Sequence, residues 1–156
     1  MKKGVILIVA FAILLSGCSG KAKDSEQARE ALIAFFDQLS KGDYAGADAL
    51  YGGSYETLVD WNPVLNPEDH NTLWHNGCSI NGLQCLKVLT ATYNERTATG
   101  EYVFTVQFSK PDGSLFVREA CCGNNPTSPP VWQFEYHLVR GVDGRYRVLD
   151  MPVFTQ

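Results

Sequence analysis

The sequence lacks the short motifs that assign an enzyme class directly. It contains no Gly-x-Ser-x-Gly turn, no glycine-rich phosphate loop and no His-Glu-x-x-His helix. It also lacks a basic excess, because 13 lysines and arginines stand against 17 acidic residues, a formal charge of −4. Nucleic acids bind through basic surfaces and are therefore not expected as partners. The Cys-x-x-Cys spacing of redox pairs and zinc knuckles is missing as well.

What is present indicates one globular domain. The chain has 156 residues, of which 45% are apolar and 19% are charged. This length suits one ordinary domain, and this composition is typical of a packed protein rather than a disordered one. There is no internal repeat or low-complexity tract.

The N-terminal segment resembles a bacterial lipoprotein signal peptide. Lys2 and Lys3 are followed by an uncharged apolar run and then by "LLSGC", which ends at Cys18. The run is too short for a permanent spanning helix, since about 20 residues are needed. The resemblance implies that residues 1–17 are removed and that Cys18 carries lipid, which anchors the mature protein to a membrane.

Residues 18–23 are then expected to act as a short tether to a domain over residues 24–156. Because Ser19 is not the aspartate that favours inner-membrane retention, the resemblance implies the outer membrane if the host has one. Loss of Lys2 and Lys3 leaves 11 basic against 17 acidic side chains, a formal charge of −6. The expected location is thus the cell envelope, outside the cytoplasm, with the lipid rather than the domain surface as the membrane contact.

Helical periodicity dominates the first half of the domain and a two-residue period the second. Glycines or capping residues mark the helix ends, and two loops ending in Asp-Gly mark hairpins. Looping out residues 142–144 pairs Leu138 with Val148 and Arg140 with Tyr146. The pattern predicts helices over residues 24–41, 44–51, 54–61 and 66–76, and strands over residues 83–95, 100–109, 114–120, 131–140 and 145–151.

This order predicts an α+β fold in which N-terminal helices pack on a curved antiparallel sheet of four to five strands. The stretch "ALIAFFDQLSKGDYAGADALY", residues 31–51, resembles the opening helices of NTF2-like domains, which are cone-shaped α+β domains. Some members of that family are enzymes with a carboxylate and a tyrosine inside the cone, and others bind ligands or partners there. The resemblance implies a concave aromatic face as the candidate pocket, lined by Tyr102, Phe104, Trp132, Phe134, Tyr136 and Asp150.

Asp150 is the most informative acidic residue. The hairpin register places it opposite Tyr136, on the aromatic face. There it could act as a general base, with the Tyr136 or Tyr102 hydroxyl as a donor. Alternatively it hydrogen-bonds a tyrosine or a loop amide at the rim of the sheet. We expect the second arrangement, and therefore no catalytic residue.

Cysteines other than Cys18 are expected to form structural disulfides. Four cysteines remain, and an even number in an exported protein is typical of disulfide pairing: Cys78, Cys85, Cys121 and Cys122. We expect two bridges that tie residues 78–85 to residues 121–122. One alternative is a Cys121–Cys122 bond, which would leave Cys78 and Cys85 to close a small loop, and another is a four-thiolate metal site, which lacks the usual Cys-x₂₋₄-Cys spacing. His70, His75 and Cys78 suggest a separate metal site, but histidines five residues apart do not share a helix face, so no metal and no cofactor are expected.

The sequence thus predicts a lipid-anchored envelope protein with a non-catalytic ligand- or protein-binding domain. The alternative is a small pocket enzyme of isomerase, cyclase or hydratase type that uses Asp150 and Tyr136. The expected partners are the membrane, through Cys18, and a protein partner, a second copy of the chain or a small ligand.

Overall fold

The computed structural model describes residues 19–119 and 129–155. Within them the chain forms four helices and then four strands. The helices are α1 (Ser19–Lys41), α2 (Tyr44–Asp48), α3 (Glu56–Trp61) and α4 (His70–Ser79), and the strands are β1 (Lys87–Arg96), β2 (Tyr102–Ser109), β3 (Phe134–Arg140) and β4 (Tyr146–Val148). No helix in these two ranges is long and apolar enough to cross a membrane.

The four strands form one antiparallel sheet in the order β1-β2-β3-β4, which makes the protein an α+β domain. Leu138 pairs with Val148 and Arg140 with Tyr146, so the register predicted from the Val-Asp-Gly loop is confirmed. Gly144 has a φ of 80°, the left-handed conformation that such a loop requires. A predicted strand over residues 114–120 is absent from its described part, where Leu115 and Arg118 form only isolated bridges.

Helix α1 packs across one face of the sheet and contacts all four strands. The buried residues of α1 recur at helical spacing. The helix ends before Gly42, whose φ of 76° is the left-handed conformation predicted for this position. The helix begins before the predicted start at Asp24, so the backbone of residues 19–23, expected as a tether, is helical. The core residues contributed by α1 are Ala28, Leu32, Phe35, Phe36 and Leu39.

Helix α4 differs from its prediction at both ends. Its N-cap is Asp69, whose carboxylate accepts a hydrogen bond from the Thr72 amide at 3.1 Å, whereas the helix was predicted to begin at residue 66. The helix then continues past residue 76, its predicted end, and through Gly77 to Ser79. Gly77 is buried, and a Cβ at this position would lie 2.9 Å from Leu58 and Leu83 side-chain atoms. The glycine therefore permits close packing rather than ending the helix.

Strand β1 also begins later than predicted. Residues 83–86 bind the C-terminal segment instead of the sheet: Leu83 bridges to Phe154, and the Gln84 amide donates to the Val153 carbonyl at 2.7 Å. A long-range partner thus overrides the local strand pattern.

Candidate functional site

The predicted concave pocket is largely a packed core. Tyr102, Phe104 and Tyr136 have exposed fractions of 3%, 0% and 2%. The Phe36 ring of α1 reaches over the sheet, with its centroid 5.0 Å from that of Tyr136 and 4.7 Å from that of Phe108. These edge-to-face contacts occupy the space between α1 and the sheet, where a ligand of an open cone would lie.

Two predicted pocket residues are not fully enclosed in this interior: Trp132 lies outside it, and Phe134 lies at its border. Trp132 precedes β3 and is 45% exposed, so its assignment to the inner face is wrong. Phe134 is half-buried, and its ring packs against Phe116 and Phe108, with the Arg118 guanidinium 5.6 Å from its centroid. The strand pairing that would continue the alternation through residue 132 is absent, because β3 begins only at residue 134.

Asp150 binds the edge of β3. Strand β4 ends at Val148, and the Leu149 amide donates to the His137 carbonyl. The next pairing position is then taken by the Asp150 carboxylate, which accepts from the His137 amide at 2.5 Å and lies 3.0 Å from the imidazole Nδ1. The carboxylate thus binds a backbone amide, but the amide belongs to strand β3 and not to a loop, and Asp150 does not pair opposite Tyr136 as the register predicted.

The surroundings of Asp150 do not resemble those of a free general base. Its side chain is 39% exposed, and Glu135 lies 3.5 Å from the other nitrogen of the His137 ring. Tyr136 is close enough for the Asp150 charge to act on it. Burial first, and then this charge, raises the pKa of the Tyr136 phenol well above its usual range, so the phenol stays neutral.

A second polar cluster, which the sequence did not indicate, joins α2 to α4. The Trp74 indole N–H donates to the Tyr55 hydroxyl at 2.9 Å, and the Tyr55 hydroxyl donates to the Asp48 carboxylate. His70 Nδ1 lies 2.9 Å from the same carboxylate, and its ring stacks on Tyr55 at 3.8 Å. Burial and the Asp48 hydrogen bond raise the pKa of Tyr55. Sequence distance hid this cluster, because Asp48 and His70 belong to different helices.

This cluster also separates the residues of the metal alternative. His70 is bound to Asp48, the His75 ring packs edge-on against Tyr44, and Cys78 is oxidised. Among the described residues no group of three histidine, cysteine or carboxylate side chains could hold a metal ion.

Cys78 and Cys85 form a disulfide with each other, their Cα atoms 5.5 Å apart. The prediction that both would pair with residues 121–122 is therefore wrong. The reason is the turn after α4, where Gly82 has a φ of 88° and returns the chain beside the helix end. Cys121 and Cys122, like Cys18, lie outside the described residues.

An open cleft of about 440 Å³ lies at the edge of the domain, between the start of α1 and the β1–β2 hairpin. Its polar side chains include Asp24 from α1 and Arg96 from β1, and the Tyr102 ring at its base is covered by the Arg96 guanidinium at 5.0 Å. Of these residues only Tyr102 was a predicted pocket residue. The remaining lining residues are Tyr93, Thr97, Ala98 and Gly100.

The chain matches no protein-family model and no curated protein. The resemblances to lipoproteins and to NTF2-like domains therefore stay predictions.

Proposed function

We propose that this protein is a lipid-anchored component of a bacterial cell envelope whose NTF2-like domain binds a ligand or a protein partner without catalysing a reaction. The anchor rests on the sequence around Cys18, where a positive N-terminus and an apolar run precede "LLSGC". The NTF2-like assignment rests on the motif of residues 31–51 together with the order of elements, four helices followed by an antiparallel meander with α1 across one face.

The observation that carries the non-catalytic proposal is the filled interior. An enzyme of the isomerase or cyclase type needs a space beside its acid and its tyrosine where a substrate can lie. In this chain Phe36, Phe108 and Tyr136 occupy that space with their rings in contact. The Asp150 carboxylate is already bound to the His137 amide. Because the interior is filled, we place ligand binding in the open cleft at the edge of the domain.

Native mass spectrometry of the full-length gene product, extracted gently from the host membrane, tests this proposal. We expect a mature chain that begins at Cys18, carries a diacylglycerol and has a bound small molecule or protein subunit. The Cys18→Ala variant is the control and should lose the lipid mass and the membrane association. An unprocessed chain would contradict the anchor. A turnover product lost in Asp150→Asn but kept in Glu135→Gln would favour the enzyme instead.

A further inference from the structure

Next to the edge cleft, behind its lining residue Tyr102, lies a buried polar atom that lacks a partner among the described residues. Tyr146 has an exposed fraction of 5%, and its hydroxyl makes no hydrogen bond with the described residues. Its neighbours are cleft residues: its ring packs edge-on against Tyr102 at 5.3 Å, and the Asp24 charge acts on it. The Tyr102 hydroxyl is also near, but no hydrogen bond of normal geometry joins the two. A buried donor left unsatisfied costs about 1–3 kcal/mol, so such a group calls for a physical explanation, of which a bound ligand is one.

The charged groups around this hydroxyl are of both signs. Arg140 lies 4.0 Å from Asp24 and over the Tyr146 ring at 5.8 Å. Arg96 makes no ion pair with the described residues and donates only to the Gly100 carbonyl, at 3.3 Å. A ligand with one strong charge would be attracted by one side of the cleft and repelled by the other. An uncharged ligand that both donates and accepts hydrogen bonds would satisfy Asp24 and Arg96 together.

The cleft also offers an apolar surface of the right shape. Tyr93 is 40% exposed although it lies next to the packed core, and its ring is tilted by 45° to that of Tyr102. A flat ring of this kind binds the C–H face of another ring, while the groups beside it bind polar substituents. The volume of about 440 Å³ is within the range of small-molecule sites.

We propose that this cleft binds a neutral, hydroxyl-rich ring ligand, a mono- or disaccharide. The Tyr93 ring stacks on one sugar face, Asp24 accepts from sugar hydroxyls, and Arg96 donates to them. The Tyr146 hydroxyl donates to a sugar oxygen that enters the cleft beside Tyr102. This inference names the ligand class of the proposed binding function and rests on it.

The test uses the full chain in a zwitterionic detergent, since many common detergents carry a sugar headgroup that would compete. Glucose, galactose, N-acetylglucosamine and cellobiose are titrated separately while saturation-transfer NMR signals from the sugar are followed. We expect saturable binding of at least one. Tyr93→Ala and Tyr146→Phe should each weaken it about tenfold, the loss of roughly one contact. Trp132→Ala, an exposed aromatic outside the cleft, is the control and should leave affinity unchanged.

Stability without sugar gives a second readout. Tyr146→Phe should raise the urea midpoint of the free protein, because it removes an unsatisfied buried hydroxyl, and yet reduce the stabilisation that sugar provides. A lowered midpoint for the free variant would overturn the proposal, as would binding lost in Trp132→Ala but not in Tyr93→Ala. Failure of all four sugars, or binding of the zwitterion glycine instead, would also overturn it. A different ligand found by native mass spectrometry would leave the binding function itself standing.

Discussion

At the scale of single residues, Asp150 and its contact with His137 show which features of the β3–β4 hairpin the sequence can predict and which it cannot. The predicted register of the hairpin is present, but the expected position of Asp150 opposite Tyr136 is not, because the ladder ends at the Leu138–Val148 pair and the Asp150 carboxylate binds the His137 amide. That its carboxylate would replace the next backbone acceptor was open, because this depends on the path of the chain after Val148. The chain leaves the ladder after Val148, and the acid lies at the strand edge, where it binds the His137 amide.

Asp150→Ala should destabilise the protein by about 1–2 kcal/mol. The substitution leaves the His137 amide without its acceptor, and hydrogen bonds to charged groups contribute about 1.5–3 kcal/mol, reduced here by partial exposure. Glu135→Ala is the matched control, because Glu135 lies on the other side of the same imidazole. The Glu135 side chain is 64% exposed and its carboxylate lies 3.5 Å from the ring nitrogen, so its removal should cost less than about 0.5 kcal/mol. Urea unfolding measures both, and equal losses would contradict this account.

Asp143 should make stability depend on acid pH. Arg147 donates to both of its carboxylate oxygens, at 3.1 and 2.7 Å, and this lowers the pKa of Asp143 from 3.8 to about 2. Because the folded pKa is the lower one, the stabilisation is complete above pH 3.8 and is lost as the pH falls towards 2.

Urea midpoints measured at intervals from about pH 5 down to the acid limit test this prediction. In Asp143→Asn the midpoint should fall less with decreasing pH than in the wild type. Asp60→Asn serves as the control, since Asp60 is exposed and makes no hydrogen bond or ion pair with the described residues. The prediction fails if the two variants have the same pH profile.

At the scale of elements, local patterns predicted the pieces of the fold that local forces determine. The end of α1 at Gly42 and the β3–β4 register both follow from a glycine in the left-handed conformation, and both are present. The errors lie where a distant segment competes. Residues 83–86 read as strand but bind the C-terminal segment, and α4 passes through Gly77 because Leu58 and Leu83 pack there.

The Cys78–Cys85 disulfide is the element-scale feature with the largest expected energy. It closes a short loop, with a sequence separation of 7, and the chain-entropy estimate for such a loop is about 2.5 kcal/mol. The double variant Cys78→Ala/Cys85→Ala should therefore lose about 2–3 kcal/mol in urea unfolding and keep its helical and strand content.

Peptide mapping of the unreduced protein provides the direct check on this pairing. We expect Cys78 and Cys85 to be linked only to each other, either within one proteolytic fragment or, if the protease cuts between them, as a bond between two fragments. A linkage from either residue to Cys121 or Cys122 would contradict the observed pairing and restore the one first expected from the sequence. Loss of stability on mild reduction in the wild type but not in the double variant would assign the effect to this bridge.

At the scale of the whole molecule, the difference between a pocket and a core decides what the domain can do. Alternation along β2 and β3 correctly predicted which side chains face the helices, including Tyr102, Phe104 and Tyr136. It could not predict whether α1 stands off the sheet and leaves a cavity, or lies close and fills it. That depends on Phe36, which contacts Phe108 and Tyr136, residues that are far from it in the sequence.

Phe104→Ala and Trp132→Ala distinguish a filled interior from an open one. Both residues belong to the pocket predicted from the sequence, but Phe104 is fully buried and Trp132 is 45% exposed. Removing a packed phenylalanine should cost about 3–5 kcal/mol, because lost transfer energy and a new cavity add. Removing the exposed tryptophan should cost less than about 1 kcal/mol, as for most surface substitutions. If Phe104→Ala proves nearly neutral in urea unfolding, the aromatic face lines an open pocket. The carboxylate of Asp150 and the neutral phenol of Tyr136 would then again be candidates for chemistry on a bound substrate.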